Sequence, residues 1–232
     1  RRIGKAIAFA LASNGVNIVI HYKSSEEEAK AVAKEIEGLG IKAWIIQADL
    51  SIPSEAENLI PNIRERFGNV NILINNASIF DKNKLTDFSL DVLMENLQIN
   101  ALAPLLLARA FARQEIDDGV IINLLDTRII EYDKEHSAYH LSKRMLFSIT
   151  KMMALEFAPL IRVNAIAPGL ILPPPGQDAS YLEKLSVTNP LRRIGSPHDI
   201  TNAILFLLNS DFITGQVIFV DGGYHLKGNI YV

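Results

Sequence analysis

The chain has no cysteine among its 232 residues. Disulfides, thiol catalysis, iron–sulfur clusters and cysteine zinc sites are therefore excluded, and no metal site is expected. It also lacks an excess of either charge. With 23 Lys and Arg against 26 Asp and Glu, the formal net charge is −3. A mildly acidic chain is a poor general binder of nucleic acid or anionic membranes. Long hydrophobic runs are missing too. The best candidate, Ala101 to Ala112, contains Pro104 and is broken by Arg109, so no bilayer span is expected. No targeting segment is legible, and a cytoplasmic location is the default expectation. What is present is apolar residue content of 49%, enough over this length for one substantial core.

Short apolar runs alternate with amphipathic stretches. Val16–Tyr22, Ala43–Asp49, Val70–Asn75, Val120–Leu125, Arg162–Ala167 and Val217–Val220 read as strands. They are rich in Ile and Val without clean alternation, as strands buried on both faces are. Helical patterns fill the gaps: Ile3–Asn14, Ser25–Leu39, Ser54–Phe67, Leu90–Arg113 with a kink at Pro104, Ala138–Phe157 after an N-cap at Ser137, and Pro197–Leu208. This alternation predicts a doubly wound parallel sheet in a three-layer α/β/α arrangement. No linker or repeat interrupts it, so residues 1–232 form one domain. A doubly wound sheet needs a strand before its first helix, and here the chain opens in the turn. A β-strand and part of a Gly-rich turn are expected ahead of Arg1. The Pro173-Pro174-Pro175-Gly176 run begins an irregular stretch, and residues 170–190 are expected to form a substrate loop. Asp178 and Tyr181 there either touch substrate or face solvent.

Several strand ends carry polar residues that need partners. Arg1-Arg2-Ile3-Gly4 leads into a helix and resembles the tail of a dinucleotide-binding turn, although a plain basic helix start reads the same way. His21-Tyr22-Lys23-Ser24-Ser25 follows a strand where an acidic residue would bind the ribose of NAD. Lys and hydroxyls there suit a 2′-phosphate, or they cap the next helix. Asp49, before Leu50, either bonds an adenine amino group or starts a helix. Asn75 and Asn76, followed by Ala77 and Ser78, must be hydrogen-bonded at a buried strand end. Asn100 lies in an apolar helix and needs a partner for the same reason. Tyr139 and Lys143 are four apart and share a helix face. A cation near a phenol favours phenolate and lowers its pKa, which makes the Tyr a usable proton donor. By itself the pair reads first as a packed Tyr with a solvated Lys. Asp126 and Pro168-Gly169 fall at the carboxyl edge of the sheet, where such folds bind ligands. Asp221-Gly222-Gly223 is a tight turn by its own chemistry.

Taken together, Ile3-Gly4, Ala48-Asp49-Leu50, Asn75-Asn76-Ala77, Asn100, Tyr139-x-x-x-Lys143, Arg162-Val163-Asn164, Pro168-Gly169 and Asp221-Gly222-Gly223 resemble the short-chain dehydrogenase/reductase family over essentially the whole chain. The resemblance implies a seven-stranded Rossmann sheet, a nicotinamide cofactor and a homotetramer. It implies Tyr139 as proton donor, Lys143 as the ribose ligand that acidifies it, and Asn100 as holder of a relay water. Two departures are visible. Asp126 stands where the family's catalytic Ser is usual, and Leu170-Ile171-Leu172 replaces its common Thr. The Asp resembles the pteridine reductase branch. So do Arg2, the His21-Tyr22-Lys23-Ser24 segment for NADP, and Asn76-Ala77-Ser78-Ile79-Phe80, with an aromatic where that branch stacks a pterin. So, too, does the closing Asp221–Leu226 segment.

The expectation is an NADPH-dependent reductase of a pterin or dihydrofolate ring, with Tyr139 and Asp126 supplying protons. A pterin offers N–H donors to a carboxylate, and Phe80 offers a flat face. Arg2, Phe80, Asp126 and Tyr139 would contact the substrate. Rival readings are a 3-oxoacyl-thioester reductase and a non-catalytic NADP-binding regulatory protein.

Overall fold

The computed structural model describes residues 2–173 and 179–229. Asp178 and residues 174–177 lie outside the described residues. Six parallel strands form: β1 (Ile18–Tyr22), β2 (Ala43–Gln47), β3 (Ile72–Asn75), β4 (Gly119–Leu124), β5 (Ile161–Pro168) and β6 (Val217–Val220). Helices α1 (Arg2–Ser13), α2 (Glu26–Glu37), α3 (Pro53–Phe67), α4 (Leu90–Leu97), α5 (Ala103–Ala112), α6 (Ser137–Glu156), α7 (Ala179–Ser186) and α8 (Pro197–Leu208) connect them. The expected α/β architecture is present, with helices on both faces of parallel sheet.

Burial explains why the strands lack alternation. On β4, Val120, Ile122 and Leu124 enter a core shared with α1 and α8. Ile121, between them, enters the opposite core with Phe111 of α5 and Leu146 of α6. Both pleat faces are apolar because both are covered.

The sheet is not continuous among the described residues. β1 pairs with β2, and β3-β4-β5-β6 form a second sheet. A cavity of about 1040 Å³ is lined by both β1 and β3. The two sheets therefore meet across a gap, not a hydrogen-bonded ladder.

Two details differ from the sequence reading. The stretch Leu90–Ala112 is a continuous 23-residue helical run with hydropathy 1.2, long and apolar enough by composition to cross a membrane. The sequence reading has one kinked helix here, Leu90–Arg113, as found, but sees a candidate span only in Ala101–Ala112, interrupted by Pro104 and Arg109. In the fold its Ala103 and Leu107 pack on α3, while Ala108 and Phe111 pack beneath α6. Within it, residues Gln98–Leu102 form a π-helical turn, closed by the Ala103 N–H on the Gln98 carbonyl. Pro104 has no N–H to give, so the ordinary ladder cannot continue through it. The second change is at α6, whose N-cap residue is His136, not Ser137. Helix α7, within the 170–190 region, carried no strong enough period to be read from sequence.

Candidate active site

All strands run parallel, so their carboxyl ends share one edge. Tyr22, Asn75, Leu124 and Pro168 end their strands there, and the chain order reverses between the β1 and β3 sides. That is the ligand-binding position of open α/β sheets.

The centre of the edge is made by β4 and α6. Asp126 follows β4 and accepts from the Arg128 N–H at 2.8 Å, which fixes its carboxylate at the start of a 3₁₀ turn. Tyr139 stands in the first turn of α6 and donates its hydroxyl to Asp126 Oδ2 at 3.0 Å. Lys143, one turn on, is 3% exposed and donates Nζ to the Leu124 carbonyl at 2.8 Å. The three expected groups thus share one corner, but their electrostatics correct the expectation. Lys143 Nζ sits 5.7 Å from the Tyr139 ring centroid and spends its hydrogen bond on backbone. Burial pushes the Tyr139 pKa well above its ordinary value; the Asp126 charge and the bond to it push the same way. The phenol is therefore held neutral, as an O–H donor. Burial also lowers the Lys143 pKa to about 8, against the pull of Asp126.

Asn100 lies fully buried in the π-helical turn. Its Oδ1 accepts from Ser78 Oγ at 3.0 Å and Ile79 N at 2.9 Å. Its Nδ2 donates to the Ile79 carbonyl at 3.1 Å and to Ser142 Oγ at 3.0 Å. An amide side chain has two donors and two acceptor sites, and all four are used. The expected relay water thus has no place on this side chain. Asn100 instead clamps the loop after β3 to α6. Asn75 behaves similarly, donating to Asn123 Oδ1 at 2.8 Å, and Asn123 in turn donates to Thr150 at 2.9 Å.

Phe80 sits on the clamped loop, 41% exposed. Its ring meets Tyr139 edge-on at 4.6 Å and lies flat on His136 at 4.1 Å. The structure thus gives Phe80 a protein stacking partner that sequence reading did not foresee.

The expected cofactor residues line the other end of the edge. Gly4 opens α1 so close to the loop that a Cβ would lie 2.9 Å from Asn76 Nδ2. Ile3 packs on the core beside it. Arg2 donates to the Pro173 carbonyl, which ties α1 to the edge of the substrate loop. His21 is corrected as a phosphate ligand: Nε2 bonds the Ala48 carbonyl at 2.8 Å, and burial lowers the pKa, favouring the uncharged ring. Lys23 and Asp49 form an ion pair at 2.8 Å. That bond raises the Lys23 pKa and, with Ser51, lowers Asp49 to about 2. Tyr22 and Ser24 border the same cavity. Leu50 is buried and gives its carbonyl to Gln98 Nε2 at 3.1 Å. Ala77 and Ser78 follow Asn76 along the loop. Pro168 ends β5, and a Cβ on Gly169 would come within 2.6 Å of Asp221.

That contact gives a tertiary role to a residue that the sequence offers only as a turn former and a mark of the resemblance. The Asp221 carboxylate accepts from Thr127 Oγ1, from Gly223 N at 2.9 Å and from His225 N at 2.9 Å. Thr127 adjoins Asp126, so the closing Asp-Gly-Gly turn supports the central corner. Arg162 and Asn164 of the resemblance are also structural. Arg162 caps α8 through the Leu207, Leu208 and Ser210 carbonyls, and Asn164 closes the turn before β6.

A nicotinamide dinucleotide fits this donor set. The N-terminal turn of α1 would face its pyrophosphate. Lys23 and Ser24 would face a 2′-phosphate, Asn76–Ser78 the adjoining backbone, and Lys143 and Pro168-Gly169 the nicotinamide end.

Comparison with known proteins accords with this geometry. The family model described as enoyl-(acyl carrier protein) reductase matches residues 1–225. The chain is 33% identical over 97% of its length to the uncharacterized oxidoreductase YohF of Escherichia coli, covering 92% of that protein. It is also 33% identical to the 3-oxoacyl-[acyl-carrier-protein] reductase FabG of Staphylococcus epidermidis, covering 97% of this chain and 96% of that one. Among solved structures, FolM alternative dihydrofolate reductase 1 of Brucella suis, in complex with NADP, superposes with a TM-score of 0.92 at 34% identity. It covers 97% of this chain and 92% of that one. The chain belongs to the short-chain dehydrogenase/reductase family and is an NADP-dependent oxidoreductase of that family.

Proposed function

We propose that the protein reduces a C=N bond of a pterin or dihydrofolate ring. The observation that carries this reading is the Tyr139–Asp126 hydrogen bond of 3.0 Å beside an exposed Phe80. A carboxylate in this position accepts from the amino and ring N–H donors of a pterin, which an aliphatic ketone lacks. Bound NADPH supplies the hydride. Tyr139, held neutral by burial, donates its proton at Oη to the reduced ring. Asp126 orients the ring and keeps the phenol directed into the site. Lys143 holds its charge beside them, and Arg2 ties the substrate loop over α1. The relation to FolM supports the same reading.

The FabG relation favours a second substrate class, a 3-oxoacyl thioester, for which Tyr139 would serve unchanged. Steady-state turnover separates the two. NADPH oxidation with dihydrobiopterin or dihydrofolate, inhibited by methotrexate-like analogues, is expected. Turnover of acetoacetyl thioester alone would replace the first reading with the second. NADPH binding without oxidation by either class would point to a non-catalytic regulatory role.

The reading extends to the assembly. Leu90 and Met94 on α4, and Met152 and Leu155 on α6, are exposed apolar residues on neighbouring helices. They support self-association, and a homotetramer is the expected mass in solution.

A further inference from the structure

We propose that His136, held by Asp133, sets the orientation of Phe80 as the wall for a flat heteroaromatic substrate, making His136 a specificity-determining positioning residue. The inference rests on the pterin reading above, but its geometry stands apart from the Tyr139–Asp126 pair. His136 occupies the N-cap of α6 yet makes no side-chain capping hydrogen bond. Its Nδ1 instead bonds both oxygens of Asp133, at 3.0 and 3.1 Å. Asp133 is itself anchored by Arg128 Nη1 at 2.5 Å and by the Glu135 N–H at 2.7 Å. His136 is 9% exposed, and its imidazole lies under the Phe80 ring with only 12° between the planes.

His136 and Tyr139 are three residues apart, one helical turn, and so face the same way. Phe80 touches both, flat on one and edge-on to the other at 83°. A single ring thus packs between the Asp133–His136 pair and the proton donor, at the wall of the site. The loop that carries it is stitched to α6 as well. Asn83 N donates to the Glu135 carbonyl at 2.7 Å, Ser137 N to the Asn83 carbonyl at 3.2 Å, and Ala138 N to Asn83 Oδ1 at 2.8 Å. With one face against His136 and 41% of the residue still exposed, Phe80 has surface left for a ligand. Offset stacking on a fixed ring favours flat ligands, and fixing the ring beforehand removes the cost of ordering it. A small aliphatic substrate draws no such benefit.

Four proteins decide the matter: wild type, His136→Ala, His136→Phe and Asp133→Asn. Each is assayed with NADPH against dihydrobiopterin and against acetoacetyl thioester. In His136→Ala, KM for dihydrobiopterin is expected to rise about tenfold with kcat within about twofold, since stacking acts on binding. KM for the thioester should not move. His136→Phe keeps a flat ring under Phe80 and should recover most of the loss. Asp133→Asn should fall between. An unchanged dihydrobiopterin KM in His136→Ala, an equal loss on both substrates, or no rescue by Phe overturns the proposal. A readout without substrate accompanies these: fluorophenylalanine-labelled protein, with the Phe80 signal assigned by Phe80→Leu. His136→Ala should shift or broaden that signal. If wild type reduces no pterin, the function proposed above fails, and the fluorine signal alone decides the positioning; an unmoved signal overturns it.

Discussion

Two corners of one sheet edge treat the same chemistry in opposite ways. At Lys143 the ammonium is buried, and desolvation lowers its pKa to about 8. At Lys23 the ammonium is more than half exposed, and its bond to Asp49 raises the pKa. The carboxylates differ likewise. Asp126 accepts the hydroxyl of a buried phenol, whereas Asp49 takes a surface cation and is pulled down to about 2. Where water is excluded, solvation sets the charge state; where water is present, the partner does. The first corner is suited to moving a proton and the second to exchanging one ion partner for another.

The contrast can be broken most forcefully at the phenol. Tyr139→Phe removes the hydroxyl that donates to Asp126, and kcat/KM is expected to fall about a thousandfold, with NADPH binding preserved. Asp126→Asn should lower kcat/KM for dihydrobiopterin by about ten- to a hundredfold. The Asp126 charge raises the Tyr139 pKa, so an alkaline titration should find the phenol ionising at lower pH in this variant.

Lys143 sharpens the comparison through pH. Its folded pKa of about 8 lies below the ordinary 10.5. Between these values the unfolded chain binds more protons than the folded one, so stability should rise with pH across that window. Activity that needs the ammonium should fall over the same window. Lys143→Met should abolish the stability rise, which thermal melts at pH 7.5, 9 and 10.5 would read. The smallest effect belongs to the exposed corner. Lys23→Ala should raise KM for NADPH about tenfold and leave KM for NADH alone, because only NADPH carries the 2′-phosphate. Its loss should not move Tm, since an exposed pair adds little stability. A large Tm drop would mean that the Lys23–Asp49 bond holds the fold rather than awaiting a ligand.

Much of this was legible in the chain. Val217–Val220 and Pro197–Leu208 were bounded as the structure has them, because Ile/Val runs and a Ser-Pro helix start are local signals. The Tyr139/Lys143 spacing places both on one face for the same reason. What escaped was the identity of partners far away in sequence. Asn100 demanded a partner, but its partners Ser78, Ile79 and Ser142 lie 22, 21 and 42 residues away; they arrive through the β3 loop and α6. Asp221 looked like a turn former because its bond to Thr127 spans the molecule. His136 looked like nothing at all.

The sequence by itself determined the order of strands and helices, the cofactor class through its joint motifs, and which polar residues had to be satisfied. These depend on period, side-chain chemistry and neighbours within one turn. Only the tertiary structure decided that Tyr139 is held as a neutral phenol, that Lys23 answers to Asp49, and that Phe80 rests on His136. Charge state and ring position follow from burial and from distances of a few ångströms between distant segments, and those exist only once the chain has packed.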